Sequence, residues 1–256
     1  MMTPYKIVLI SLLVFISPVH AKETTIIAAA SSTRFALDEI KQAFTRQTGL
    51  NITISYGSSG NLTRQLIQGA PFELFISADE SYINSLKQQQ LTLDDGIIYA
   101  TGRLALFTSN NSPILVDKEL HNLKNLLKKN QLQHFAIANP DHAPYGRAAK
   151  QVLINTGLWH SIKPFLVLAE NASQTAQFAS SGVTQGGIIS YSYSLHPALK
   201  SLGNSVLIPQ SLHAPFHARM VLMKHAKSTA KQFYQFLLNN KSRTIFNHHG
   251  FLLPID

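Results

Sequence analysis
The sequence predicts an α/β protein built as two lobes, and three observations carry that prediction. Short apolar runs rich in β-formers alternate with stretches of helical periodicity. A second run of this alternation begins near Gly102. No internal repeat or low-complexity linker separates the two runs, so chain crossings near residues 100–102 and 208–209 are expected to join the lobes and act as hinges. At 256 residues, 45% hydrophobic and 14% charged, the chain holds enough apolar material for one large core or two smaller ones.

Taken in order, residues 24–30 (TTIIAAA) read as a buried strand, after which Ser31, Ser32 and Thr33 offer hydroxyls to cap a helix. Phe35, Leu37, Ile40, Ala43 and Phe44 recur at helical spacing, and Gly49 closes that helix. Residues 51–56 (NITISY) alternate as a strand, 57–60 (GSSG) turn, and 62–69 form a second helix. A third strand at 72–76 (FELFI) leads through Ser77, Ala78 and Asp79 into another helix. The second lobe is expected to place strands at 104–108, 135–139, 165–169 and 187–190. Its helices are expected at 120–129, at 147–156 and up to Ala179. Strands at 206–209 and 219–223 and a helix over 230–246 follow. The expected division is a leader over 1–21, a first lobe from 22–100 plus 210–256, and a second lobe from 101–209. Each lobe would carry a largely parallel sheet flanked by helices.

The first residues have the three parts of a secretory leader: Lys6 near the start, an apolar run over 7–16, and Pro18, Val19, His20 and Ala21 before the polar Lys22 and Glu23. The run is short for a membrane span. Export with cleavage after Ala21 is expected, and with no cysteine after the run no lipid anchor is expected. The chain has no cysteine, which excludes disulfides, thiolate metal sites and cysteine nucleophiles. The formal charge is +9. The basic residues are spread along the chain, and the densest group, Lys124, Lys128 and Lys129 among Leu123, Leu126 and Leu127, reads as a solvated helix face. Nucleic acid is therefore not an expected partner, and the positive field suits small anions.

In open α/β sheets a ligand lies at the carboxyl ends of strands, where helix N-termini present free N–H groups and the positive end of the dipole. Five junctions rich in hydroxyls or glycine fall at such ends: Ser31–Ser32, Gly57–Gly60, Ser77–Asp79, Ala143–Gly146 and Asn171–Ser173. Any one of them is most simply a helix cap. Five, divided between two lobes, point to a site for a small oxyanion held by N–H and O–H dipoles without a charged partner.

The stretches AAASS (28–32), SYGSSG (55–60), GAPFELFISADE (69–80), TGRLALF (101–107), ANPDHAPYGRAA (138–149) and ENASQTAQF (170–178) resemble those of periplasmic molybdate-binding proteins. The likeness holds in order and spacing over nearly the whole chain beyond the leader. It implies a two-lobed type II periplasmic binding fold with molybdate or tungstate in the cleft. It also implies an inner-membrane ABC permease with a cytoplasmic ATPase as partner, a monomer in the periplasm, no cofactor and no catalysis. Molybdenum would enter only as the oxyanion, with no direct metal ligand. The ligands implied are Ser31 with Ser32, Ser59 with Ser58, and the backbone N–H groups of Tyr145 and Ala172. One position departs from the family pattern. Where many members carry a tyrosine after the GI(V/I) strand, this chain has Ser190, and Tyr191 one step later would face the other way. Either Ser190 substitutes or the site lacks that hydroxyl.

Two other readings compete. One is a binder of another oxyanion or of a small organic anion, with Arg34, Arg147 or Arg219 as a carboxylate clamp. Phosphate, which keeps a proton at neutral pH, suits a site with a carboxylate acceptor, and none of the five junctions clearly offers one. Sulfate has molybdate's shape and charge in a smaller size. The other reading is a serine hydrolase. No GxSxG elbow occurs, the histidines lack HExxH spacing, and Asp79 reads as a helix cap more readily than as half of an acid pair.

Overall fold
A computed structural model describes residues 24–254, and the expected leader and its cleavage point lie outside these. The chain runs β1 (Thr25–Ala30), α1 (Arg34–Thr48), β2 (Ile52–Gly57), α2 (Ser59–Ile67), β3 (Leu74–Ile76), α3 (Glu80–Gln88) and β4 (Ile97–Thr101). It continues through β5 (Leu104–Ser109), α4 (His121–Lys128), β6 (Phe135–Ala138), α5 (Pro144–Asn155), α6 (Trp159–Ile162), β7 (Leu166–Ala169), α7 (Ala172–Ser180) and β8 (Gly187–Ser190). It ends with α8 (Tyr191–Ser194), α9 (Pro197–Lys200), β9 (Gly203–Leu207), β10 (His217–Leu222), α10 (Ser228–Leu237) and α11 (Asn240–His248).

The strands form two five-stranded sheets, ordered β2-β1-β3-β10-β4 and β7-β6-β8-β5-β9. The expected α/β architecture in two lobes is present, and each sheet is largely parallel, with one strand running against the other four. In the first, β1 pairs parallel with β2 and β3, while β10 pairs antiparallel with β3 and β4. In the second, β6 pairs parallel with β7 and β8, while β5 pairs antiparallel with β8 and β9. The reason is the double crossing. β5 and β10 each begin where the chain arrives from the other lobe, at the edge facing the cleft. They must run away from it, against strands whose carboxyl ends point toward it.

Period-two alternation in β1 divides the first lobe's core between the two faces of its sheet. Ile27 and Ala29 pack with Leu37, Ile40 and Phe44 of α1 and with Phe233 and Phe236 of α10. Ala28 faces the other way, toward Leu62 and Leu66 of α2 and Ile83 and Leu86 of α3. The second lobe closes on Leu104, Leu106, Phe135, Ile137, Ile188 and Ile189 with α4, α5 and α7.

Three local expectations differ. α5 starts at Pro144, three residues before the predicted helix, because proline's fixed φ suits the first helical turn. The helix predicted over 230–246 is two helices, broken at Asn239, whose side chain accepts from the Ser242 N–H. Ser31 to Thr33 form a 3₁₀ turn, and no hydroxyl caps it or α1.

Candidate functional site
A small cavity lies where the two lobes meet. Its wall is Ala30, Ser31, Ser32, Gly57, Ser58, Ser59 and Ala78 from the first lobe and Ala143, Pro144, Tyr145 and Ala172 from the second. Six of the seven sequence-expected site residues are thereby brought together from four separate junctions. Ser190 does not border the cavity. No carboxylate, lysine, arginine or histidine is part of this wall.

The first turns of α2, α5 and α7 all open here, with Ser59, Tyr145 and Ala172 in them. Their N–H groups have no acceptor among the described residues, as the first-turn donors of a helix do not unless something outside the helix accepts from them. Three positive dipole ends therefore meet at one point. Local sequence explains each start. Ser58 caps α2 by accepting from the Asn61 N–H at 3.4 Å. Pro144 opens α5. Asn171 caps α7 by accepting from the Ser173 and Gln174 N–H groups at 3.0 and 3.1 Å.

The hydroxyls are oriented by what they accept. Ser59 Oγ accepts the Ala78 N–H at 3.0 Å, and Ser31 Oγ accepts the Ser173 N–H from across the cleft at 3.3 Å. A hydroxyl that accepts from a backbone N–H still has its own proton to donate. Ser32 Oγ is buried and makes no hydrogen bond of standard geometry. A buried, unsatisfied hydroxyl costs about 1–3 kcal/mol unless something takes it up. The wall thus supplies O–H and N–H donors and no charged acceptor, which is the chemistry of a site for a fully deprotonated anion.

The lobes touch around this cavity. Gly60 N–H donates to the His142 carbonyl at 3.0 Å, and His142 Nδ1 lies 3.1 Å from Ser58 Oγ. Asn61 Nδ2 donates to Glu170 at 3.0 Å. Elsewhere between the lobes Arg147 pairs with Asp79 at 2.6 Å while lying over the Tyr82 ring. Arg219, the other second-half arginine considered as a clamp, pairs with Glu80 at 3.0 Å, and Arg34 lies over the Tyr56 ring; neither borders the cavity. Burial pushes the Tyr145 phenol up, and the neighbouring Ser190 and Ser32 hydroxyls oppose that rise. Its ring meets Phe216 of the returning crossing edge-on at 4.9 Å.

Two lobes closed on a cavity of inward donors, joined by two chain crossings, define a cleft-type solute-binding protein. A family model for bacterial extracellular solute-binding proteins matches residues 25–252, and the chain belongs to that family, which is one of binding proteins and not of enzymes. The molybdate-binding protein ModA of Rhodobacter capsulatus is 34% identical over 238 residues, which is 92% of this chain and 90% of that protein. The putative ABC transporter substrate-binding lipoprotein YvgL of Bacillus subtilis is 28% identical, covering 90% of this chain and 86% of its own length. The solved structure of the Azotobacter vinelandii periplasmic molybdate-binding protein matches with a TM-score of 0.81 at 30% identity, covering 91% of this chain and all of that one.

Proposed function
We propose that this protein is the periplasmic binding component of an ABC importer and carries molybdate or tungstate to a membrane permease driven by a cytoplasmic ATPase. The observation that carries the reading is the donor set. Three helix N-termini and the residues Ser31, Ser32 and Ser59 line one cavity whose wall contains no carboxylate. Hydrogen phosphate would need an acceptor for its proton, and the wall supplies no carboxylate to take it. The names of the related proteins agree with this choice of anion. The anion's ligands in this reading are the hydroxyls of those three serines and the N–H groups of Tyr145 and Ala172, with Ser58 framing the cavity and Ser190 not bordering it.

The reading includes lobes with limits at 22–100 plus 210–256 and at 101–209, hinged where β4 passes to β5 and β9 to β10. It also includes cleavage after Ala21, a monomer in the periplasm and no cofactor. Isothermal titration of the mature protein with molybdate, tungstate, sulfate and phosphate tests it. Tight binding of the first two and much weaker binding of the others is expected. Absent or equal binding of molybdate would refute the assignment. Mass spectrometry of periplasmic protein beginning at Lys22 tests the export step.

A further inference from the structure
The family pattern places a tyrosine where this chain has Ser190, and the hydroxyls that follow reach the first lobe by another route. Ser192 Oγ donates to the Ser32 carbonyl at 2.7 Å, and Tyr193 OH donates to the Ser31 carbonyl at 3.0 Å. Both donors belong to α8 in the second lobe, and both acceptors to the 3₁₀ turn in the first. We infer that Ser192 and Tyr193 are positioning residues that grip the Ser31–Ser32 turn from behind when the lobes close, and so set the hydroxyls that face the anion. The inference rests on the anion-binding reading above.

Hydrogen-bond bookkeeping supports it. A serine hydroxyl has one proton. Ser192 gives its proton to the Ser32 carbonyl, so in its 2.8 Å contact with Ser190 it can only accept. Ser190 then has its own proton directed at Ser192, which leaves none for an anion. The chain of donation runs Ser190 to Ser192 to the Ser32 carbonyl. The Ser31 carbonyl accepts twice, from Tyr193 and from the Arg34 N–H that opens α1, so both its lone pairs are used. With both carbonyls of the turn held, the planes of its peptides are held as well, and the two side chains keep only rotation about χ1. Misaligned hydrogen bonds weaken steeply, so a donor set for an anion gains from such fixation. All four residues are almost completely buried, and the Tyr193 ring packs on Phe35 of α1 at 4.9 Å. Neither Ser192 nor Tyr193 borders the cavity.

The test uses the full mature protein with Tyr193→Phe, Ser192→Ala, Ser192→Thr and, as control, Ser194→Ala. The Ser194 hydroxyl donates to the Tyr191 carbonyl within α8 and joins nothing across the cleft. Molybdate affinity is measured by calorimetry, dissociation by stopped flow, and unbound stability by thermal melting. Tyr193→Phe and Ser192→Ala are each expected to weaken binding about three- to tenfold. The loss should lie mainly in faster dissociation, because on this inference the contacts hold the two lobes together around the anion. Unbound melting should be unchanged, Ser192→Thr should restore much of the loss, and Ser194→Ala should bind like wild type. Wild-type affinity and dissociation in both Tyr193→Phe and Ser192→Ala would overturn the inference alone, as would losses matched by equal falls in unbound stability. Wild-type protein that binds neither molybdate nor tungstate would overturn the reading beneath it.

Discussion

Replacing Ser32 by alanine separates ligand binding from folding. Its hydroxyl is buried and makes no hydrogen bond of standard geometry, with the Tyr145 phenol as its neighbour, whereas the Ser59 hydroxyl holds the Ala78 N–H at 3.0 Å. If both donate to a bound dianion, each variant loses one charge-assisted hydrogen bond, worth about 1.5–3 kcal/mol or roughly ten- to a hundredfold in affinity. Their effects on the unbound protein should differ. Ser59→Ala leaves a buried N–H unsatisfied within the first lobe, open or closed, at about 1–3 kcal/mol. For a protein of this size that lowers Tm by about 2–4 °C per kcal/mol. Ser32→Ala removes a buried hydroxyl that makes no hydrogen bond of standard geometry and leaves no backbone N–H without its acceptor, so its unbound Tm should hold or rise. The assays are calorimetric titration with molybdate and thermal melting by circular dichroism with and without it. Ser32→Ala binding like wild type, or melting as low as Ser59→Ala in the absence of anion, would refute the argument.

Gly60→Ala should raise unbound stability slightly, by up to about 1 kcal/mol for a helical glycine, yet weaken anion binding. Its Cβ would sit 2.6 Å from the His142 carbonyl oxygen of the other lobe, and scattering should show incomplete compaction with saturating anion. Asp79→Ala removes a cap on the Ser81 N–H and the pair with Arg147. Denaturation should show a loss of about 1 kcal/mol, whereas titration should show less than about a fivefold loss in affinity, since partly exposed pairs contribute roughly 0–1 kcal/mol. Burial holds the His213 imidazole below its usual value of 6.5, against the opposing effect of its hydrogen bond to the Ala214 carbonyl. Its contribution to stability is therefore fully present above the unfolded value and lost as pH falls from there through the depressed folded value. Urea denaturation at pH 7.5 and 5.5 should show a smaller drop for His213→Gln than for wild type, and an equal drop would refute the assignment.

Much of the site was legible because its parts are local. A strand that ends in small residues and passes into a capped helix leaves its signature within a few positions. Ser58 with Ser59, Pro144 with Tyr145 and Asn171 with Ala172 all stand at such junctions. The role of each hydroxyl was less legible. Ser31, Ser32 and Thr33 have the composition of a helix cap. Yet Ser31 Oγ is engaged by the Ser173 N–H, 142 residues later, and Ser32 Oγ makes no hydrogen bond of standard geometry. Helix α8, with only four residues, is too short to show periodicity, so its grip on the Ser31–Ser32 turn left no trace in the pattern.

By itself, then, the sequence determined the α/β alternation, the hydroxyl-rich strand ends and the absence of cysteine chemistry, because backbone propensity, capping and composition act over short stretches of chain. Only the tertiary structure decided which way β5 and β10 run and which N–H groups the Ser31 and Ser59 hydroxyls accept. It also decided that Ser190 does not border the cavity. Strand direction follows from where a crossing enters a sheet, and a hydroxyl's proton follows from which distant N–H or carbonyl lies against it. Both are facts of packing between elements brought together by the fold, which neither periodicity nor spacing records.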